Sequence, residues 1–194
     1  MIGLVLSGGR SMRMGADKGL LLHDGNAWAE VARKKLNAIF PVVLISVNAD
    51  HYERYQALFE EKILVKDHYE IAVQGPLLGI LSAHTQNPEE DFLVIACDLL
   101  MMESLLIEKL VNLYSHQPGY EAYIFTHEQG DEPLCSIYTG KALSRIYQLY
   151  QQNPNLKNGL KYMLNQLDVL KIPLEESKVK YFTNFNDQET LNNL

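Results

Sequence analysis

Short continuous apolar runs alternate along this chain with stretches whose apolar residues recur every three or four positions. The first pattern is expected of buried strands and the second of amphipathic helices. Residues 2–6 form the first run and stop at Ser7-Gly8-Gly9, as a buried parallel strand entering a loop does. Residues 27–40 then repeat at helical spacing through Trp28, Val31, Ala32, Leu36 and Ile39, with Asp24 or Asn26 as the expected N-cap. Pro41 ends this helix, residues 42–47 form a second strand closed by Asn48, and residues 50–61 read as a polar amphipathic helix. A third short strand over 63–66 ends at Asp67. Gly75-Pro76 opens a helix reaching Gln86, because proline suits a first helical turn. Residues 92–97 form the most buried-looking strand, with Asp98 at its end.

In the second half, residues 104–117 read as a helix, and 120–126 and 134–138 as strands around a loop at 127–133 rich in charge and turn formers. Residues 140–152 and 157–167 are expected to be helical, 169–172 and 179–182 extended, and 187–194 a closing helix. Tyr147, Tyr150 and the Leu and Met positions of 160–167 fall at helical spacing and are expected to pack in the core. This succession predicts an α/β fold, doubly wound, with a mostly parallel sheet, helices on both faces and a single domain over 1–194. Ligands bind such sheets beyond the carboxyl ends of the strands. Those ends carry Ser7-Gly8-Gly9, Asn48, Asp67 and Asp98, which predicts a polar crevice along one edge of an apolar sheet.

Composition narrows the partners. With 194 residues, 47% of them hydrophobic, the chain can bury a full core without a disulfide or structural metal, and Cys97 and Cys135 read as small buried residues. The net charge of −7 argues against nucleic acid and acidic membrane surfaces as partners. No run approaches the roughly 18 apolar residues of a membrane span, and the N-terminus reads as a strand rather than a signal peptide, so a cytoplasmic protein is expected. The six histidines have no metal-ligand spacing and read as structural or surface residues.

The loop from Leu6 to Gly19, LSGGRSMRMGADKG, carries the strongest chemical signal. Adjacent glycines let backbone amides approach a base or phosphate, and Arg10, Arg13 and Lys18 can neutralise phosphate charge. It is neither a Walker P-loop nor a GxGxxG dinucleotide fingerprint. On composition alone, a glycine-rich turn with solvated basic side chains would be an equal reading. Asp98 and Asp67 alone could order loops, and Asn48 could cap the following helix.

The loop has the form LxGGxSxRMGxDKxLL and resembles the molybdenum cofactor guanylyltransferase family of nucleotidyltransferases, with Ser7 where alanine is usual. Further segments resemble the family in the same order: Asn48 after the second strand, Asp67 after the third, Gly75-Pro76-Leu77-Leu78-Gly79-Ile80, Cys97-Asp98, and Asn184-Phe185-Asn186. Leu100 stands where the family's proline follows the central aspartate, and Asp187-Gln188 replace its Thr-Pro.

The resemblance implies a Rossmann-like nucleotidyltransferase fold and transfer of GMP from GTP to molybdopterin or the molybdenum cofactor, with Mg²⁺ as cofactor and pyrophosphate as product. The acceptor would arrive free or from another protein of the cofactor pathway. The implied catalytic residues are Arg13, Lys18 and Asp98, with Asp98 as metal ligand. Leu6, Ser7, Gly8, Gly9, Lys18, Asn48, Asp67 and Asp98 would bind nucleotide, and Gly79, Asn184 and Asn186 the acceptor. Gly8-Gly9 and Pro76-Leu77-Leu78-Gly79 are of the family's purine type, favouring GTP over CTP. The departures at Leu99-Leu100 and Asp187-Gln188 keep open another acceptor, such as a sugar phosphate, a polyol phosphate or a different cofactor. A non-catalytic nucleotide-binding protein is the alternative from another class.

Overall fold

A computed structural model describes residues 1–7, 17–157 and 159–185. Its strands are β1 (Ile2–Leu6), β2 (Leu22–His23), β3 (Asn26–Ala27), β4 (Val43–Val47), β5 (Leu64–Lys66), β6 (Phe92–Ala96), β7 (Ala122–His127), β8 (Gly130–Tyr138) and β9 (Val169–Pro173). The α-helices are α1 (Trp28–Asn37), α2 (Tyr52–Gln56), α3 (Pro76–Gln86), α4 (Ser104–His116), α5 (Gly140–Gln152), α6 (Leu160–Leu164) and α7 (Glu176–Val179). Seven strands form one sheet in the order β5-β4-β1-β6-β8-β7-β9. Pairing is parallel from β5 through β6 and between β7 and β9, while β8 runs against both of its neighbours. The expected mostly parallel α/β sheet is therefore present, with a single reversed strand.

Alternation along the strands builds a layer on each face. Val5, Leu93 and Ile95 point into one layer, where α1 contributes Ala29, Ala32 and Leu36, and α4 contributes Leu106, Ile107 and Leu110. Leu4, Phe92 and Val94 point into the other, with Leu77, Ile80 and Leu81 from α3 and Leu143, Ile146 and Tyr150 from α5. Burying one such side chain contributes about 1.5–3 kcal/mol, so both faces of the central strands are firmly held. Cys97 and Cys135 are free and buried, and burial pushes both thiols up to about 12. Among the described residues no helix is long and apolar enough to cross a membrane.

Several local expectations are corrected. Neither Asp24 nor Asn26 caps α1, whose N-cap is Ala27 with no side-chain bond. Asp24 and Gly25 instead take positive φ values of 48° and 75° and form the tight turn joining β2 to β3. The helix expected over 50–61 is a 3₁₀ turn, Ala49–His51, followed by the short α2, in which Tyr55 is the buried anchor. The helix expected over 157–167 covers only Leu160–Leu164, after Gly159 at φ 130°. The loop expected at 127–133 is mostly strand, because β7 turns directly into β8 at His127↔Gly130. Pro133 is accommodated where the register shifts, as proline in a sheet requires. Residues 179–182, expected extended, end α7 and form the 3₁₀ turn Lys180–Phe182, with Phe182 edge-on to Phe125. The closing helix expected at 187–194 lies outside the described residues.

Candidate functional site

The strands from β5 to β6 run the same way, so their carboxyl ends arrive at one edge and present Ser7, Asn48, Asp67 and Asp98 there. Asp98 follows β6 at the centre of the sheet. Lys18, on the 3₁₀ turn Lys18–Leu20, places Nζ 3.0 Å from Asp98 Oδ2, with side chains only 23% and 15% exposed. Asp98 Oδ1 is buried and accepts no hydrogen bond among the described residues. A hard carboxylate oxygen so placed fits one protein ligand of a Mg²⁺ ion that completes its shell with phosphate and water oxygens. No group of three or more His, Cys, Asp and Glu side chains suits a metal among the described residues.

The turn carrying Lys18 is fixed from below. Asp17, 5% exposed, accepts from Gly19 N–H at 3.0 Å and from Tyr55 Oη–H at 2.8 Å through Oδ1, while His51 Nδ1 lies 2.7 Å from its Oδ2. Ser7 Oγ is 2.8 Å from the same Tyr55 hydroxyl, which also lies 3.2 Å from Ser7 O. A Cβ on Gly19 would stand 1.7 Å from Ser7 Oγ and 2.3 Å from Tyr55 Oη, so only glycine permits this approach. Sequence reasoning missed Tyr55 and His51. Their contacts with Ser7 and Asp17 span large sequence separations, and no spacing rule links them.

At the neighbouring strands, Asn48 Oδ1 accepts from Asp50 N–H at 2.9 Å and caps the following turn. Asp67 receives a long 3.4 Å bond from the buried Ser46 hydroxyl. Burial outweighs this bond and raises the Asp67 carboxyl to about 6. Gly79, in α3, is buried where a Cβ would stand 2.3 Å from Ser46 Oγ, so its bareness lets the helix lie against β4. Leu6 C=O accepts from Cys97 N–H and Ser7 N–H donates to Ser46 C=O, so these backbone groups already extend the sheet.

The C-terminal segment reaches the same place. Phe185 N–H donates to Asp98 C=O at 3.1 Å, and the Phe185 ring is buried with Trp28 and Leu100, leaving Asn184 exposed beside it. Leu100, at the departure from the family pattern, is thus a packing residue beneath the site, and its carbonyl accepts from Lys35 Nζ at 2.5 Å. Burial of Lys35 lowers its ammonium to about 8. Gly8, Gly9, Arg10, Arg13, Asn186 and the second departure, Asp187-Gln188, lie outside the described residues.

The edge therefore unites a lysine, a carboxylate with one oxygen unpartnered among the described residues, and a second, half-buried carboxylate. Residues 3–169 match the family model described as a MobA-like NTP transferase domain. Two relatives named "Probable molybdenum cofactor guanylyltransferase" are similar over nearly the full length. The one from Flavobacterium johnsoniae is 30% identical, covering 98% of this chain and 94% of its own. The one from Methanothermobacter thermautotrophicus is 28% identical, covering 96% and 95%. The crystal structure of molybdopterin-guanine dinucleotide biosynthesis protein A from Archaeoglobus fulgidus superposes with a TM-score of 0.79 over 100% of this chain and 96% of that one, at 21% identity.

Proposed function

This chain belongs to the MobA-like NTP transferase domain family and is a nucleotidyltransferase, and on that premise we propose that it transfers GMP from GTP to molybdopterin or the molybdenum cofactor. The observation that carries the reading is the Lys18–Asp98 pair, which joins the exit of the glycine-rich loop to the end of the central strand. The acceptor's terminal phosphate oxygen attacks the α-phosphorus of GTP. A new P–O bond forms, the bond to the bridging oxygen of the β-phosphate breaks, and pyrophosphate leaves with the electron pair. A phosphate nucleophile needs no general base, so the protein's task is alignment and charge neutralisation.

In this reading Lys18 offers its ammonium protons to triphosphate oxygens while remaining beside Asp98, and Arg13 adds a second positive charge. Asp98 Oδ1 would hold Mg²⁺, which when bound supplies charge neutralisation along the triphosphate. Backbone groups of residues 6–9 would hold the base, with Asn48 and Asp67 on the guanine or ribose side. The acceptor would occupy the side of Gly79, Asn184 and Asn186. Residues 1–194 would act as one nucleotidyltransferase domain in the cytoplasm.

Calorimetric titration in Mg²⁺ tests the base choice: GTP should bind more tightly than CTP, and the reverse order would overturn it. Mass spectrometry of the product from GTP and molybdopterin tests the acceptor. The guanine dinucleotide is expected, whereas a product formed only with a sugar or polyol phosphate would redirect the assignment.

A further inference from the structure

The Tyr55 hydroxyl lies below the site, in the core, yet it meets both ends of the segment that frames residues 8–16. Tyr55 is 0% exposed and its ring stacks on Phe59 at 6.0 Å between centroids, so its position is set by packing. The phenol has one proton, and the shortest charged acceptor is Asp17 Oδ1 at 2.8 Å. Ser7 Oγ–H, 2.8 Å away, can then donate to the phenol oxygen, giving a relay from Ser7 through Tyr55 to Asp17. Burial and the Asp17 carboxylate hold the phenol far above its ordinary range, so it remains a donor. Asp17 in turn caps the turn bearing Lys18 through Gly19 N–H. The Gly19 Cβ position, 2.3 Å from Tyr55 Oη, shows independently that this turn rests directly on the hydroxyl.

We propose that Tyr55 is a positioning residue for nucleotidyl transfer: through Asp17 it sets the turn that aims Lys18 at Asp98. His51, 35% exposed and 2.7 Å from the other Asp17 oxygen, holds the same carboxylate from the solvent side. This inference rests on the guanylyltransferase reading of the site, because its readout is turnover of GTP.

A double-mutant cycle between Tyr55→Phe and Lys18→Ala tests it, since phenylalanine keeps the ring and removes only the hydroxyl. Tyr55→Phe should lower kcat/KM for GTP about tenfold, and the double variant should be within about twofold of Lys18→Ala alone. A purely structural hydroxyl would lower the unfolding temperature and multiply the Lys18→Ala loss by the same tenfold. That additive result, or Tyr55→Phe turning over within about twofold of wild type, would overturn the proposal. If Tyr55→Phe yields too little folded protein, His51→Ala carries the same cycle from a half-exposed position. The wild-type chain is assayed first with Mg-GTP and molybdopterin. Absence of turnover there overturns the functional reading and the inference with it, whereas turnover with additive losses overturns only the role of Tyr55.

Discussion

Two parts of one sheet treat their polar groups in opposite ways. Along β7, β8 and β9, charges satisfy one another: His127 lies 2.7 Å from Glu132, and Lys171 lies 2.8 Å from Asp131. The hairpin brings the first pair together, β9 supplies Lys171 to the second, and His127 Nδ1 also accepts from Gln129 N–H. Beyond β1, β4, β5 and β6, satisfaction is incomplete among the described residues. Asp98 Oδ1 has no hydrogen-bond partner, and the half-buried Asp67 has a single long bond from Ser46. Buried polar groups without partners cost free energy, and in the proposed reading nucleotide and metal supply the missing partners at these aligned strand ends. The contrast, more than the count of charges, separates a site from a solvated rim.

The sharpest way to break this contrast is Asp98→Asn, which keeps the shape and removes the charge. Transfer should fall about a hundred- to a thousand-fold, as for loss of a group that stabilises transition-state charge. Turnover close to wild type, measured by dinucleotide formation at saturating Mg²⁺, would show that the incompletely bonded carboxylate has no part in the chemistry. Next comes Lys18→Ala, with an expected loss of roughly ten- to a hundred-fold, equivalent to one charge-assisted contact of about 1.5–3 kcal/mol. Its thermal unfolding should stay close to wild type, because Lys18 is not a core residue.

Asp67 tests the same contrast through pH. Its folded carboxyl, raised to about 6 by burial, binds a proton more tightly than the unfolded chain does at its ordinary 3.8. The native state therefore takes up the proton first. Stability from this group is greatest at low pH, falls as pH rises from about 4 to about 6, and is flat above. Asp67→Asn should be more stable than wild type above pH 6, by up to about 3 kcal/mol, and should lose that advantage near pH 4 in urea unfolding. Nucleotide affinity of wild type should weaken as pH drops through about 6, and the variant should bind weakly without that step. A variant with unchanged affinity at neutral pH would remove Asp67 from the nucleotide site.

The smallest effect is expected in the self-satisfied part. Lys171→Met breaks an exposed pair with Asp131 and should cost about 0.2–1 kcal/mol in stability while leaving transfer within about twofold. A large loss of turnover there would extend the site across β8.

These two parts also differ in how readily the chain discloses them. Ser7, Asn48, Asp67 and Asp98 each follow directly on a continuous apolar run, so a parallel sheet aligns them without further information. Only the first part of β8 was hidden, because Glu132 and Pro133 resemble loop residues, and pairing with β7 across a bulge accommodates them. Residues 179–182 alternate like a strand, yet only Phe182 is buried, and the backbone closes into helical turns. Within the site, Lys18 and Asp98 are separated by 80 positions, and a motif could name both without giving the 3.0 Å between them. Tyr55 and His51 had no such signal. They lie on a polar segment read as a surface helix, and their meaning comes from the buried carboxylate they share. Local pattern thus discloses elements and strand ends, while the support of a site depends on contacts distant in sequence.

Pyrophosphate release from each of the four nucleoside triphosphates, in Mg²⁺ and with or without molybdopterin, tests the central claim most directly. The account predicts release that requires GTP and molybdopterin together and that disappears in Asp98→Asn. Release from another nucleotide in preference to GTP, or tight GTP binding with no turnover on the pterin, would contradict it.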